Sequence, residues 1–448
     1  MATLHLSPSS CEAKVEEAIR RFQARNPKSL EHHEAAIDSM PGGNTRTLLH
    51  TAPFPVVMVC GEGTKLYDLD GHEYLDFVGE LTAGLYGHSS PKIKKAMTGV
   101  LSDIGLSLGA TNIYEKKYAD LLCSRFDLDS LRFANSGTEA NIHALAAARE
   151  FTGKRKVVVF RGGYHGSVLA FGLGIAPNNV DPHDWILSQY NDPDALNEVF
   201  NTHDDIAAVL VEGMQGSGGG IPASRKFLRA IREQTLKAAA VFILDEVMTS
   251  RLHPGGMAAT IEEKPDLKTL GKYLGGGMPF GAFGGRKDIM AVYDPRKQGS
   301  LSHSGTFQNN TLMLNAGYTG LAEVFTPDVA IQFNKNGDNF RAELLDIFEG
   351  TKFTVTGVGS LMCIHCTKPG LTSAQIRAKD DYAPHEDVDL KKLFWLEMME
   401  AGFWIHQRGS IALNLAMEAN AMEAFVQAVK AFCSRHHKLV HFPGQNIE

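Results

Sequence analysis

Lys272 stands in a stretch of small residues that is unusual for a charged side chain. Seven glycines occupy residues 271–285, and no acidic residue is adjacent to the lysine. Because glycine loses more backbone entropy on folding than other residues, this density needs a reason, such as backbone that approaches a bound group. The stretch predicts either a lysine that faces a bulky organic ligand or a surface lysine in a flexible loop.

A second stretch with possible chemistry ends in two carboxylates. Residues 238–244 form an apolar run that ends at Asp245 and Glu246. A carboxylate at the end of a buried strand can bind a metal, act as a base or pair with a cationic ring nitrogen; it can equally cap a helix or form a salt bridge. No histidine or aspartate cluster surrounds it at ligand spacing, so we expect no metal.

A small polar turn connects an apolar run to a strong helix at Ser136, Gly137 and Thr138. The N–H groups and dipole at a helix N-terminus favour a phosphate, and the hydroxyls add donors. Ser136 with Glu139 also matches a capping box, which requires no ligand. The turn therefore indicates a phosphate site or an ordinary helix start.

Tyr164 lies between glycines after another apolar run, at residues 157–160. An aromatic side chain there can present its face to a planar ligand, or it can be a plain loop residue. A phosphate cup, a carboxylate, an aromatic face and a lysine together match the requirements of pyridoxal 5′-phosphate. Its aldehyde forms a Schiff base with lysine, and an aspartate keeps its ring nitrogen protonated.

The surrounding elements predict an α/β fold. Between residues 115 and 330, helical stretches alternate with apolar strands at 131–134, 157–160, 207–211 and 240–244. This alternation predicts a mostly parallel sheet covered by helices on both faces. We expect an N-terminal segment at 1–80, a large cofactor-binding domain at 81–330 and a smaller α+β domain at 331–448.

Composition excludes several classes of protein. Charged residues make up 21% of the 448 residues, the net charge is −7 and no basic run occurs, so we expect no nucleic-acid partner. No apolar run approaches about 18 residues, which argues against a membrane span. The six cysteines are sparse, and the first ten residues lack the pattern of a signal peptide, so we expect a cytoplasmic location. Cys363 and Cys366 have CxxC spacing inside an apolar run, which favours buried strand residues over a redox or metal pair.

Taken together, the motifs resemble the fold-type I, class III pyridoxal-phosphate aminotransferases over nearly the whole chain. The motifs that carry this resemblance are Asn-Ser-Gly-Thr-Glu-Ala (135–140), Gly-Gly-Tyr-His-Gly (162–166), Leu-Asp-Glu-Val-Met-Thr-Ser-Arg (244–251), the stretch around Lys272, and Gly-Thr-Phe-Gln-Asn-Asn (305–310). Residues 41–46, 80–88, 303–307 and 407–409 are similar to the branch that contains glutamate-1-semialdehyde aminomutase, and most similar to the β-phenylalanine aminotransferases in it.

The resemblance implies that Lys272 carries the cofactor as a Schiff base and then moves the proton, while Asp245 pairs with the pyridinium nitrogen. The remaining cofactor contacts that it implies are Ser136, Gly137 and Thr138 at the phosphate, Thr306 at the phosphate from a neighbouring subunit, Tyr164 and Val247 on the two ring faces, Met248 near the ring hydroxyl, and His165 and Glu212.

It further implies that Arg46 and Arg408 bind substrate carboxylates. Guanidinium forks suit this task because they pair with carboxylates through two hydrogen bonds. The expected activity is transfer of the amino group of a β-amino acid to a 2-oxo acid such as 2-oxoglutarate or pyruvate, in a homodimer with shared active sites. The alternatives are a glutamate-1-semialdehyde 2,1-aminomutase with the same cofactor, and a non-catalytic protein that only binds the cofactor.

Overall fold

The computed structural model describes residues 10–442, and the predicted absence of a signal peptide concerns residues 1–9, which lie outside that range. The α-helices are α1 (Ser10–Arg25), α2 (Pro27–Ile37), α3 (Pro91–Gly99), α4 (Ile113–Phe126), α5 (Gly137–Thr152), α6 (Pro193–Thr202), α7 (Arg225–Lys237), α8 (Lys287–Met290), α9 (Thr311–Thr319), α10 (Pro327–Phe348), α11 (Lys379–Tyr382), α12 (Val388–Glu400), α13 (Ala419–Arg435) and α14 (His437–Val440).

The strands are β1 (Met58–Glu62), β2 (Lys65–Asp68), β3 (Glu73–Asp76), β4 (Ser130–Ala134), β5 (Lys156–Phe160), β6 (Trp185–Ser188), β7 (Ile206–Glu212), β8 (Met214–Gln215), β9 (Ile221–Pro222), β10 (Val241–Asp245), β11 (Leu267–Gly271), β12 (Gly281–Gly285), β13 (Phe353–Val358), β14 (Leu361–Cys366), β15 (Phe403–Trp404) and β16 (Ser410–Ala412).

The large sheet has the strand order β4-β12-β11-β10-β7-β5-β6. Its pairs are parallel except where β12 lies antiparallel to both of its neighbours. Alternate residues of the central strands face opposite ways, as the period of a strand requires. Val209 and Phe242 pack with α7, whereas Leu210 and Ile243 pack with α5. The predicted mostly parallel sheet with helices on both faces is confirmed.

Three smaller sheets complete the described chain. The order β1-β2-β3-β15 joins strands from both ends of the sequence, β13-β14-β16 lies near it, and β8-β9 is a short hairpin. One apolar core links α1, α10, α12 and α13 to the first two of these sheets. Cys363 and Cys366 are buried on β14, as the strand interpretation predicts. The domain boundaries after residues 80 and 330 stay a prediction. None of the helices within residues 10–442 has both the length and the apolar character needed to cross a membrane.

The glycine-rich stretch after Lys272 ends in the buried strand β12, which gives its last glycines a reason in strand packing. A Cβ atom added at Gly281 would collide with the backbone of Ser136, and one at Gly284 would collide with Ser130. These glycines therefore allow β12 to lie closely against β4 and the turn after it, and this approach positions the start of α5.

Candidate active site

Two carboxylates end neighbouring strands of the large sheet. Asp245 is the last residue of β10 and Glu212 is the last residue of β7, and the two residues are paired in the register of these parallel strands. Both side chains are buried. Since ligands of open parallel sheets bind beyond the carboxyl ends of the strands, this edge is the candidate active site.

Three polar groups surround the Asp245 carboxylate. The N–H of Val247 donates to Oδ1 at 2.9 Å, the amide of Asn141 donates to Oδ2 at 2.9 Å, and His165 Nδ1 lies 2.8 Å from Oδ2. Thr269 Oγ1 donates to Asn141 Oδ1 at 2.8 Å, which fixes the end of the amide that faces the carboxylate. The orientation of Asp245 is therefore set by its neighbours.

The sequence motifs did not identify Asn141 or Thr269. Asn141 is a fully buried amide in an alanine-rich part of α5, and that contrast in polarity was the available signal. Buried amides need hydrogen-bond partners, so such a residue marks a polar site inside the core. His165 is also buried, and its hydrogen bond is directed at Asp245.

Glu212 connects two loops at the same edge. Its Oε1 accepts the N–H of Tyr164 at 2.9 Å, and its Oε2 accepts the N–H of Gly216 at 2.9 Å. Burial raises the pKa of the Glu212 carboxyl to about 7, while His165 acts in the opposite direction. Glu212 thus holds the backbone on which Tyr164 is carried.

Lys272 directly follows β11, beside β10 in the sheet. Its φ of +56° is in the left-handed region, which is rare for a residue with a side chain and typical of functional sites. Burial lowers the pKa of the Lys272 ammonium, and Asp245 and Glu212 counteract this shift. No group among residues 10–442 forms a hydrogen bond with Nζ. The structure therefore excludes the alternative of a surface lysine in a flexible loop.

The turn at residues 136–138 begins α5. Ser136 is the N-cap, and its Oγ accepts the N–H of Glu139 at 3.2 Å. The Glu139 carboxylate, however, accepts the N–H of Asn135 rather than that of Ser136, so only half of the expected capping box forms. The N–H groups of Gly137 and Thr138 belong to the first turn of a 16-residue helix, where an anion is favoured.

Val247 links this helix start to the backbone before Lys272. A Cβ atom added at Gly137 would lie 2.7 Å from Val247 Cγ1, and one added at Gly271 would lie 3.0 Å from the same atom. The side chain of Met248 lies against Gly216, where a Cβ atom would collide with Sδ. The predicted phosphate cup, Val247 and the start of the Lys272 turn are therefore in contact with one another.

The backbone N–H of Tyr164 is bonded to Glu212, and 45% of the surface of Tyr164 is exposed. Burial of the rest of the ring raises the pKa of its phenol, and the positive charge of Arg46 counteracts the shift. The placement of Arg46 beside the predicted aromatic face stays a prediction.

Comparison with known proteins gives this geometry a family. Residues 49–432 match the model of the aminotransferase class-III family. The chain belongs to the class III aminotransferases. Members of this family are pyridoxal-phosphate-dependent transaminases, so the predicted recognition, enzyme class and cofactor are confirmed.

Relatives of this transaminase match it over almost their whole length. It is 52% identical to an uncharacterised aminotransferase of Schizosaccharomyces pombe over 95% of this chain and 96% of that protein. It is 43% identical to the β-phenylalanine transaminase of Variovorax paradoxus over 97% and 99%. A glutamate-1-semialdehyde 2,1-aminomutase of Caldicellulosiruptor bescii is 32% identical over 92% and 100%.

A solved structure agrees with the sequence comparison. The crystal structure of a β-phenylalanine aminotransferase from Variovorax paradoxus superimposes with a TM-score of 0.93, at 43% identity, over 96% of this chain and 99% of that chain. The fold-type I architecture of this transaminase is therefore established.

The two predicted substrate arginines differ in their surroundings. Arg46 Nη2 lies 2.7 Å from Glu80 Oε1, and both side chains are about half exposed. Arg408 is exposed and forms no ion pair within the described residues, and its backbone carbonyl is 3.5 Å from the Cys363 thiol. Its positive charge contributes to lowering the pKa of Lys379, whose main cause is burial. One arginine has a carboxylate partner, and the other does not.

Thr306 is the predicted phosphate contact from a neighbouring subunit. Its side chain is exposed, and none of the hydrogen bonds among residues 10–442 connects it to Ser136, Gly137 or Thr138. Phe307 beside it is 64% exposed. This arrangement is compatible with a contact to a second copy of the chain.

Proposed function

We propose that this transaminase moves the amino group of a β-amino acid, aromatic and similar to β-phenylalanine, to a 2-oxo acid such as 2-oxoglutarate or pyruvate. One observation carries the cofactor part of the proposal: a lysine, a fixed carboxylate and a helix N-terminus converge around Val247. The residues present fit the chemical groups of pyridoxal phosphate. When bound, that cofactor takes up the electron pair of the broken C–H bond and carries the amino group between the two half-reactions.

Residues of the chain bind the phosphate and the ring nitrogen of the cofactor. Ser136, Gly137 and Thr138 hold the phosphate through N–H and hydroxyl donors. Asp245 holds a proton on the ring nitrogen, and its own orientation comes from Asn141 and His165. A carboxylate beside a protonated ring nitrogen is a charge-assisted hydrogen bond, which is stronger than a neutral one.

Two side chains would hold the cofactor ring from its two faces. Val247 provides the apolar face, since it already fills the space between the helix start and the lysine turn. Tyr164 provides the aromatic face, held by Glu212 through its backbone. Met248, which packs on Gly216, would contact the side of the ring that carries the hydroxyl.

Lys272 moves the proton at the carbon that carries the amine. Burial lowers its pKa, so a larger share of the side chain is the neutral amine that can act as a nucleophile and a base. The left-handed backbone at this residue fixes the direction from which the amine approaches. Removal of Lys272 should therefore stop the proton transfer and leave the remaining contacts in place.

Arg46 and Arg408 bind the substrate carboxylates. A β-amino acid places its carboxylate one carbon farther from the amine than an α-amino acid does, so one arginine cannot serve every substrate in the same position. Two guanidinium groups on separate segments provide two carboxylate sites. The similarity to the β-phenylalanine transaminase of Variovorax paradoxus supports this assignment of the donor.

The functional unit that we propose is a homodimer with shared active sites. Exposed apolar side chains gather on the segment at 101–113 and at Phe307; Ile113 is 76% exposed, Phe307 64% and Leu101 62%. A hydrogen bond from the Asn112 amide to the carbonyl oxygen of Asn309 joins the two segments into one patch. Contiguous exposed apolar surface of this kind marks protein–protein interfaces. A partner on this patch would bring Thr306 to a phosphate cup across the interface.

A cytoplasmic location is also part of the proposal. Six cysteines in 448 residues are sparse, and all six are free thiols in the structure. Free thiols persist in reducing compartments. Imaging of a tagged full chain tests this point.

The experiment is a panel of amino donors assayed with two acceptors. Purified enzyme is incubated with β-phenylalanine, other β-amino acids and α-amino acids, each with 2-oxoglutarate or with pyruvate, and glutamate or alanine is measured. We expect glutamate or alanine from aromatic β-amino acids at the highest kcat/KM. If no β-amino acid produces either product, the proposed donor class is wrong.

The aminomutase is the second candidate, because a relative with that name is 32% identical over its full length. An aminomutase rearranges its substrate without an external acceptor. The presence of two arginines for carboxylates favours transfer between two acids. Conversion of glutamate 1-semialdehyde to 5-aminolevulinate in the absence of any 2-oxo acid would favour the aminomutase instead.

A further inference from the structure

The turn at residues 79–82, which follows β3, has a backbone conformation that is rare for residues with side chains. The φ angles are +52° at Gly79, +48° at Glu80, +51° at Leu81 and +81° at Thr82. Three consecutive residues with side chains are thus in the left-handed region. Such conformations persist only where the surrounding structure holds them, and they concentrate at functional sites.

The start of the turn is held by Asp76. Its buried carboxylate accepts the N–H of Val78 at 2.8 Å and the N–H of Gly79 at 3.0 Å. Gly79 passes so close to β16 that an added Cβ atom would lie 2.9 Å from the carbonyl oxygen of Ala412. These contacts fix the position of the backbone at the start of the turn.

The end of the turn is held by Arg251. This side chain is fully buried and forms no ion pair with any carboxylate among residues 10–442. Nη1 donates to the carbonyl oxygen of Thr82 at 3.3 Å, Nη2 donates to that of Leu413, and Nε donates to Ser360 Oγ at 3.2 Å. A buried guanidinium without a counter-ion is costly, so its use here needs a reason. Its planar fork ties the turn to the segment after β16.

The turn presents Glu80 to Arg46. The 2.7 Å contact involves Nη2 of Arg46, and no other protein group in the described chain hydrogen-bonds to the guanidinium. The loop that carries Arg46 has few ties of its own, among them the bond from Gln407 to the carbonyl oxygen of His50 at 3.2 Å. An exposed ion pair adds little to stability, so stability does not explain a strained turn that is built around one.

We propose that Glu80 is a specificity-determining positioning residue. It holds the Arg46 guanidinium at Nη2 and leaves the other donors free for the carboxylate of the amino donor. Arg251 sets the place of Glu80 through the 79–82 turn. This inference deepens the proposed function and rests on it, since it assumes that Arg46 contacts a substrate carboxylate.

The test compares Glu80→Ala and Glu80→Gln in the holoenzyme. We expect Glu80→Ala to raise the KM of β-phenylalanine about 10-fold, with kcat and the visible absorbance of the bound cofactor near wild type. A 10-fold rise in KM corresponds to about 1.4 kcal/mol, which is about the free-energy cost of ordering one side chain on binding. Glu80→Gln keeps the accepting oxygen and should recover part of the loss. For α-methylbenzylamine, a donor without a carboxylate, KM should not change.

Glu73→Ala is the matched control. Glu73 pairs with Lys65 at 2.7 Å, and both side chains are 47% exposed, much like the Glu80–Arg46 pair. It lies away from the turn, on β3. We expect kinetic constants equal to wild type, which would show that loss of an exposed ion pair alone does not raise KM.

A double-mutant cycle identifies the route of the effect. If Glu80 acts through Arg46, Glu80→Ala should add nothing to Arg46→Ala. A lower KM in Glu80→Ala, an equal rise for α-methylbenzylamine, or an undiminished effect in the Arg46→Ala background would each overturn the proposal. If wild type uses no β-amino acid, the proposed function fails by itself. The effect of Glu80 on carboxylate binding is then measured by inhibition with 3-phenylpropanoate in wild type and Glu80→Ala.

Discussion

Glu212 and Asp245 occupy the same level of neighbouring parallel strands, and yet their carboxylates have different partners. Asp245 accepts hydrogen bonds from an amide side chain and a backbone N–H, with a histidine nitrogen at 2.8 Å. Glu212 accepts two backbone N–H groups from two loops. In the proposed function, Asp245 pairs with the ring nitrogen of the cofactor, whereas Glu212 holds the two loops that carry Tyr164 and Gly216. The difference follows from the groups around each strand end, since the two residues are paired in the register of parallel strands.

Replacement of Glu212 by Gln should change the pH dependence of stability. Burial raises the folded pKa to about 7 from 4.5, so the folded protein keeps a proton that the unfolded chain releases between these values. Stability is then fully present below the unfolded pKa and is lost as pH rises towards 7, by up to about 3 kcal/mol. Glutamine cannot titrate, so Glu212→Gln should become more stable relative to wild type as pH increases from 5 to 8.

Urea denaturation of both proteins across that pH range measures the difference. Glu150→Gln is the control, because Glu150 is an exposed residue on α5 and its variant should parallel wild type at every pH. A constant difference between Glu212→Gln and wild type from pH 5 to 8 would contradict the raised pKa.

Replacement of Lys272 by Ala should abolish transamination and preserve the fold. In the proposed function the side chain is the base of the proton transfer, and a positioned acid or base contributes a factor of about 10²–10⁴ in rate. We therefore expect kcat to fall at least about 100-fold, while circular dichroism stays unchanged. Lys264→Ala removes an exposed lysine paired with Asp127 and should retain full activity. A Lys272→Ala enzyme with wild-type kcat would refute the assigned role.

The predictable part of the site consists of residues next to a strong local pattern. Asp245 directly follows an apolar run and Ser136 stands two residues after another, so both strand ends could be assigned from the sequence and lie at the same edge of the sheet. The missed groups act across long separations in the chain. Asn141 and Asp245 are 104 residues apart, and Glu80, the missed partner of the predicted Arg46, is on an irregular segment without periodicity.

The glycine-rich strand β12 shows a second limit. Glycine is depleted in strands, so residues 281–285 had no strand signal. The strand pairs with β4 and β11, and Cβ atoms added at Gly281, Gly284 and Gly285 would collide with the backbone of Ser136, Ser130 and Asp266, so these three positions require glycine. The need for glycine arises from the packing of β12 with β4 and β11, and the sequence of residues 281–285 alone does not reveal it.

Replacement of Gly166 by Ala should weaken cofactor binding. Gly166 has a φ of +130°, and an added Cβ atom would collide with Thr138 Oγ1 in the phosphate cup. Thr138 would have to move, so we expect the Kd of pyridoxal phosphate to rise at least about 10-fold, which corresponds to about 1.4 kcal/mol. Titration of the apoenzyme with pyridoxal phosphate measures this change.

Gly153→Ala provides the comparison for that experiment. Gly153 ends α5 with a φ of +66°, and no atom lies within 4 Å of its added Cβ. Its replacement should cost about 1 kcal/mol of stability through the backbone alone and leave cofactor affinity unchanged. Equal cofactor affinities in the two variants would show that cofactor binding does not depend on the position of Thr138 beside Gly166.

Mixed dimers should reveal whether Thr306 serves the neighbouring subunit. Thr306→Asp places a negative charge where the proposal puts a phosphate, and Lys272→Ala removes the base, so each homodimer should be inactive. In a mixed dimer, one site combines Lys272 of the first chain with Thr306 of the second and is intact, whereas the other site carries both changes. With random pairing, half of the dimers are mixed and one of their two sites works, so refolding an equal mixture should restore about a quarter of wild-type activity. If Thr306 acts within its own chain, mixing restores nothing, because every site then contains one of the two defects.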